Sequence, residues 1–299
     1  MLVARLLRIV LICGLAILGI GWFATRPEHV DASIVEAAVP DMERGETLFF
    51  AGGCAACHSA PDAEGGDKLK LAGGRKFPSP FGTFVAPNIS PDPEAGIGAW
   101  TATDLANALL KGTGPRGQHY YPVLPYTSFA RMSVEDVVSL HAYLATLPTD
   151  ATPNQRNDVG FPFNIRRGLG IWKRLFFRDG WVVEGDLTEE QQLGRFLVEG
   201  PGHCGECHTP RNALGGLRLS AWLSGAPSPT GKGRIPDITP GGLDWSEADI
   251  AEYLKSGFTP QYDTVGGDMA DVVANTSHLS VAERSAIAAY LKAVPPSGK

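Results

Sequence analysis

The sequence predicts an all-α protein: two tandem helical domains with long Gly/Pro-rich loops, set behind an N-terminal transmembrane helix. Three observations lead there. An uncharged apolar run opens the chain, one order of features occurs twice in the remainder, and short capped helices recur with no convincing alternating strands between them. At 299 residues, 43% hydrophobic and 19% charged, the chain has room for two ordinary domains and is not a disordered polymer. A net charge of −6 argues against a nucleic-acid partner, which would call for a basic face. Gly 36 and Pro 23 make up nearly a fifth of the residues, so something besides regular structure must hold the loops.

The apolar run covers residues 9–24, preceded by Arg5 and Arg8 and followed by Arg26, Glu28 and Asp31. Leu6, Leu7 and the aliphatic stem of Arg8 extend it to a spanning length. Positive charge before the run keeps the N-terminus cytoplasmic and puts the rest of the chain outside. Residues 1–25 are therefore expected to be a signal anchor and 26–40 a linker. A cleaved signal peptide is the competing reading, because Val30-Asp31-Ala32 offers a small-residue site, though one rather far from the run. Cys13 inside the run reads as a small apolar residue.

The repeat sets residues 44–148 beside 193–295, within expected domains 41–148 and 186–299. Gly45-x-x-Leu48 before Cys54-Ala-Ala-Cys57-His58 matches Gly194-x-x-Leu197 before Cys204-Gly-Glu-Cys207-His208. Leu71-Ala-Gly-Gly74 matches Leu223-Ser-Gly-Ala226, and Pro87-Asn-Ile-Ser-Pro91 matches Pro236-Asp-Ile-Thr-Pro240. Trp100 and Trp245 each precede an Asp-capped segment ending at Gly112 and Gly257, and Tyr143-Leu144 answers Tyr290-Leu291. Thr101 with Asp104, Ser133 with Asp136, Ser246 with Asp249 and Ser280 with Glu283 have capping-box spacing and start helices. Residues 149–185 join the halves, and Phe161-Pro-Phe-Asn-Ile-Arg-Arg is too aromatic for a free linker, so this connection is expected to pack along one domain.

The chemistry lies in the two Cys-x-x-Cys-His motifs, the attachment pattern of a c-type haem. Cys54 and Cys57 stand three apart and face one side of a helical turn, so both sulfurs can add to the haem vinyl groups while His58 points at iron; Cys204, Cys207 and His208 repeat this. Zinc would need further ligands converging from elsewhere, and a redox pair or structural disulfide would not call for the adjacent His. Two covalently bound haem c groups are expected, each supplying the core that a small Gly/Pro-rich domain lacks.

Around these motifs the chain resembles the membrane-bound dihaem cytochrome c subunits of bacterial periplasmic dehydrogenase complexes over roughly residues 41–295. The telling segments are Phe81-Gly-Thr-Phe84, Asn88-Ile-Ser-Pro91, Gly96-Ile-Gly98 with Trp100, Tyr121-Pro122 with Pro125-Tyr126, the stretch from Gly200 to Asn212, and Gly266-Gly267-Asp268-Met269. The resemblance implies two cytochrome c-type domains on the periplasmic side of the inner membrane. It also implies an electron-transfer subunit, not an enzyme, passing electrons from a dehydrogenase partner to quinone, another cytochrome or a terminal oxidase.

An electron-transfer haem usually has a second strong axial ligand, most often a methionine sulfur. Met269 stands in the Gly-Gly loop where the resembling subunits place theirs. In the first domain the matching segment reads Tyr121-Pro122-Val123-Leu124-Pro125, where those subunits often carry Met in place of Leu124, and leucine cannot bind iron. Met132 is the expected substitute, with His119 or no protein ligand as the alternatives. His58, Met132, His208 and Met269 are thus the expected iron ligands. An open first haem would instead suggest a dihaem peroxidase-like enzyme. Arg75, Arg211 and Arg234, with Trp100 and Trp245, are candidate propionate partners, while His29, His141, His203 and His278 are expected to be non-ligands.

Overall fold

The computed structural model describes residues 2–228 and 233–297, so the outermost residues of the expected first and last segments lie outside it. In chain order the first helices are α1 (Leu2–Ala24), α2 (Ala32–Ala37), α3 (Met42–Ala51), α4 (Cys54–His58), α5 (Ala102–Lys111), α6 (Tyr126–Phe129) and α7 (Val134–Leu144). They are followed by α8 (Gly168–Phe176), α9 (Glu189–Glu199), α10 (Gly205–His208), α11 (Glu247–Ser256), α12 (Asp268–Thr276) and α13 (Val281–Ala293). Helix α1, about 35 Å long at 1.5 Å per residue, is the one described helix long and apolar enough to cross a membrane.

Two apolar cores organise the rest. Leu48, Phe49, Leu105, Leu109, Val137 and Leu140 lie in the first; Leu197, Val198, Ile250, Leu254, Ile287 and Leu291 lie in the second. Each core is built on a helix pair crossing at a glycine. A Cβ on Gly45 of α3 would stand 2.2 Å from the Ser139 carbonyl oxygen of α7, and one on Gly194 of α9 would stand 1.8 Å from that of Ala286 in α13. The four expected capping boxes are present, joined by a fifth at Thr188 with Gln191. Gly112 and Gly257 end α5 and α11 in the left-handed conformation, at φ 59° and 75°.

The all-α expectation is corrected to helix-rich with little sheet. Strands β1 (Lys76–Ser79) and β2 (Gly82–Val85) form one antiparallel hairpin, with Lys76 opposite Val85. Strands β3 (Ala226–Pro227) and β4 (Arg234–Ile235) form another. Ladders this short leave no period-two pattern to read. Residues 26–40, expected as a linker, are also packed: Asp31 caps α2, Val35 enters the first core, and the Val30 N–H donates to Asn107 Oδ1 at 2.7 Å.

The stretch 149–185, expected to pack along one domain, contacts both: it runs along β2 and α5 and then reaches Leu214, Gly216 and Glu199 of the second half. Thr83 and Asp158 exchange backbone hydrogen bonds at 2.8 and 2.9 Å. Lys173 of α8 donates to the Lys111 and Gly112 carbonyls at the end of α5, where a cation meets the helix dipole. Trp172 Nε1–H donates to the Leu214 carbonyl at 2.8 Å.

Candidate functional site

Both Cys-x-x-Cys-His motifs sit on a single helical turn after a tight bend. Gly53, left-handed at φ 57°, leads from α3 into α4, and His203, at φ 40°, leads into Cys204 and α10. Among the described residues no disulfide joins the cysteines. Burial pushes the Cys54 and Cys204 thiols up to about 12. Burial also lowers His58 and His208 below the ordinary imidazole range, favouring the neutral ring that ligates metal.

The two histidines share one geometry. His58 Nδ1–H donates to the Pro87 carbonyl at 2.8 Å, and His208 Nδ1–H donates to the Pro236 carbonyl at 2.9 Å. A carbonyl only accepts, so the proton is fixed on Nδ1 and the Nε2 lone pair is left for iron.

The chain delivers these carbonyls by the same route twice. The His58 carbonyl accepts from Gly73 N–H at 2.6 Å and that of His208 from Gly225 N–H at 2.8 Å. The fully buried Leu71 and Leu223 are both left-handed, at φ 52° and 57°, and their carbonyls accept from Ile89 and Ile238. Gly73 and Gly225 also have positive φ, and a Cβ there would lie 2.5 Å from Pro87 C and 2.7 Å from the Ile235 oxygen. Each hairpin is the excursion between that glycine and the proline. Paired sulfurs, a tautomer-fixed ring and a free Nε2 fit haem c. Among the described residues no group of three or more His, Cys, Asp or Glu converges to suit a bare metal ion.

Met269, expected in a loop, lies in the first turn of α12, half-buried against the second core. Met132 is 6% exposed in the first core. It immediately precedes the Ser133 cap, as the buried Leu279 precedes Ser280. Leu124 packs against the same core. His119 stands elsewhere, its Nε2–H donating to the Thr25 carbonyl at the end of α1 at 2.9 Å.

Each motif is braced by the opposite half. Arg75 donates to the Ala56 carbonyl inside the first motif at 2.5 Å and pairs with Asp268 and Asp271 of α12 at 2.9 and 2.8 Å. Glu206 inside the second motif accepts from Thr127 of α6 at 2.8 Å. Phe50 stacks on His278 with centroids 3.9 Å apart, and Phe129 meets His203 edge-on at 5.6 Å. Arg75 and Arg211 are thus engaged by carboxylates, Arg211 by Glu206. Arg234 is exposed on β4, His141 hydrogen-bonds the Trp100 carbonyl at 3.0 Å, and Trp245 packs on Tyr253. The cross-bracing was not legible in the sequence, because no local pattern pairs residues 196 positions apart. The proline carbonyls left a trace in the repeated Pro-x-Ile-x-Pro segments.

Residues 42–148 match the Cytochrome c family model. The chain is 55% identical over 289 residues to a diheme cytochrome c-type protein of Cereibacter sphaeroides, covering 97% of this chain and 96% of that one. It is 38% identical to the fructose dehydrogenase cytochrome subunit of Gluconobacter japonicus, over 90% of this chain and 56% of that one. It is also 35% identical to the cytochrome c subunit of alcohol dehydrogenase (quinone) of Gluconobacter oxydans, over 97% of this chain and 61% of that one. The chain therefore spans little more than half the length of those two subunits. Fold and site define a c-type cytochrome carrying haem c. Within that class the chain belongs to the family of dihaem cytochromes and dehydrogenase cytochrome subunits that these relatives represent.

Proposed function

We propose that this chain is a membrane-anchored dihaem cytochrome c. It accepts electrons singly from a periplasmic dehydrogenase and hands them to quinone, another cytochrome or a terminal oxidase. The observation that carries the reading is the duplicated His Nδ1–H to proline carbonyl bond, at 2.8 and 2.9 Å, behind two Cys-x-x-Cys motifs. Cys54, Cys57, Cys204 and Cys207 would hold the groups covalently, with His58 and His208 offering Nε2 to iron. We assign Met269 as the second axial ligand of one and Met132 of the other, in domains spanning 41–148 and 186–299 joined by 149–185. Haem c, when bound, supplies a one-electron iron couple. The protein's part is to keep each ring in one tautomer and orientation, so that little reorganises when charge changes.

The names of the relatives support a dehydrogenase as donor. The exposed apolar helix α1 supports an inner-membrane anchor with the remainder on the periplasmic side. The end of α1 is also built into the fold. Thr25 is buried, with its hydroxyl accepting from Arg167 at 3.0 Å and its carbonyl from His119, an engagement that a discarded leader would not need.

Potentiometric titration of the purified chain in detergent, followed in the haem c α band, tests the reading. Two one-electron transitions, with reoxidation by added quinone or cytochrome, are expected. A high-spin first haem that turns over peroxide would replace it with the peroxidase-like reading.

A further inference from the structure

We propose that residues 161–178 form a second membrane contact, an amphipathic ledge lying on the anionic outer face of the bilayer that α1 crosses. The proposal rests on the reading of α1 as an anchor. The inner face of α8 is docked: Trp172 reaches Leu214, Lys173 caps α5, and Phe176 fills the space beside Gly216. Its outer face is apolar and uncovered. Ile171 and Leu175, four residues apart and so on one stripe, are 58% and 52% exposed; just upstream Phe161 and Ile165 are 80% and 52% exposed. Exposed apolar side chains of this size are costly in water and suit the headgroup boundary.

Charge and position identify the occupant. Between residues 159 and 178 the chain has five basic residues and no acidic one, in a protein of net charge −6. Arg166, Arg167, Arg174 and Arg178 take part in no ion pair with a carboxylate among the described residues. Two of them grip the outer end of α1: Arg174 donates to the Ala24 carbonyl at 3.0 Å, and Arg167 lies 4.1 Å from the centroid of the Trp22 ring and donates to the Trp22 carbonyl. Trp22 and Phe23 are aromatic residues at the end of a spanning helix, where such side chains mark the membrane–water interface. The ledge is thereby fixed at interface depth, with arginines whose charge no described carboxylate neutralises at the level of lipid phosphates and apolar side chains beside the acyl boundary. Two attachments in place of one would restrict rocking of the haem-binding body about α1.

The test uses the full haem-loaded chain in vesicles of phosphatidylcholine with or without phosphatidylglycerol. Once haem is attached, Cys13 is the remaining thiol, and a nitroxide on it reports the anchor. Cys13→Ala/Ile171→Cys carries the label to the ledge, and Cys13→Ala/Val281→Cys carries it to a distant exposed site. Electron paramagnetic resonance then compares collisions with oxygen and with a water-soluble nickel chelate. The label at 171 is expected to be protected from nickel by about tenfold relative to 281 while open to oxygen, as for a side chain seated in the headgroup boundary, and the protection should weaken without phosphatidylglycerol. Equal nickel access at 171 and 281 with Cys13 protected would overturn the ledge and leave the anchor standing. Nickel access at Cys13 as well would overturn both, and protection at 171 that arises only on adding a dehydrogenase subunit would assign the face to a protein partner.

Discussion

Pro87 and Pro236 have no N–H to give, yet their carbonyls fix the protons of His58 and His208 and so aim the Nε2 lone pairs. These bonds account for the recurrence of Pro-x-Ile-x-Pro, which the sequence presents only as a likeness between halves. In the assignment proposed above, Met132 and Met269 would each offer a thioether sulfur to iron. Met132 occupies the place that Leu279 fills in the second half, and methionine and leucine have similar volumes, so Met132→Leu keeps the packing while removing the thioether. Magnetic circular dichroism of the oxidised protein should count two Met-ligated irons, falling to one in Met132→Leu with the Met269 signature retained. An unchanged count in Met132→Leu would make Met132 a packing residue alone.

At the scale of the element, the helix pairs α3/α7 and α9/α13 carry the scaffold, and both depend on a glycine at the crossing. Gly194→Ala would drive a methyl into the Ala286 carbonyl, with backbone on both sides and no flexible side chain to yield. A loss of about 2–4 kcal/mol is expected in denaturant unfolding of the haem-loaded protein, with Gly45→Ala losing a similar amount. Helix starts were readable because a hydroxyl and a carboxylate three residues apart act locally, and all four anticipated boxes formed. The hairpins were not readable. Their strands are held by the Leu71 and Leu223 turns and by Asp158 pairing with Thr83, contacts made across sequence distance. The resemblance puts Met269 in a loop after Gly266-Gly267, yet Gly267 at φ 59° serves as the N-cap from which α12 begins.

Across the whole molecule, the two halves are joined at a buried charge. Glu199, fully buried, accepts from the Val182 and Val183 amides at 2.6 and 3.0 Å and from the Tyr290 hydroxyl, and it lies 3.4 Å from Arg131 of the first half. Removing one member leaves the other charge uncompensated, so Glu199→Ala should cost about 3–5 kcal/mol by the same unfolding measurement; Arg131→Met with Glu199→Leu should recover only the part due to the lone charge, because the Val182 and Val183 amides and the Tyr290 hydroxyl still lose their acceptor. The same interface sets α12 against the first motif and α6 against the second.

That arrangement has meaning only if both motifs carry haem. Intact-mass spectrometry of the denatured, purified chain counts covalent haem directly, and it should show the polypeptide plus two haem groups, falling to one in Cys204→Ser/Cys207→Ser. A mass corresponding to one haem or none in the unaltered chain would contradict the account.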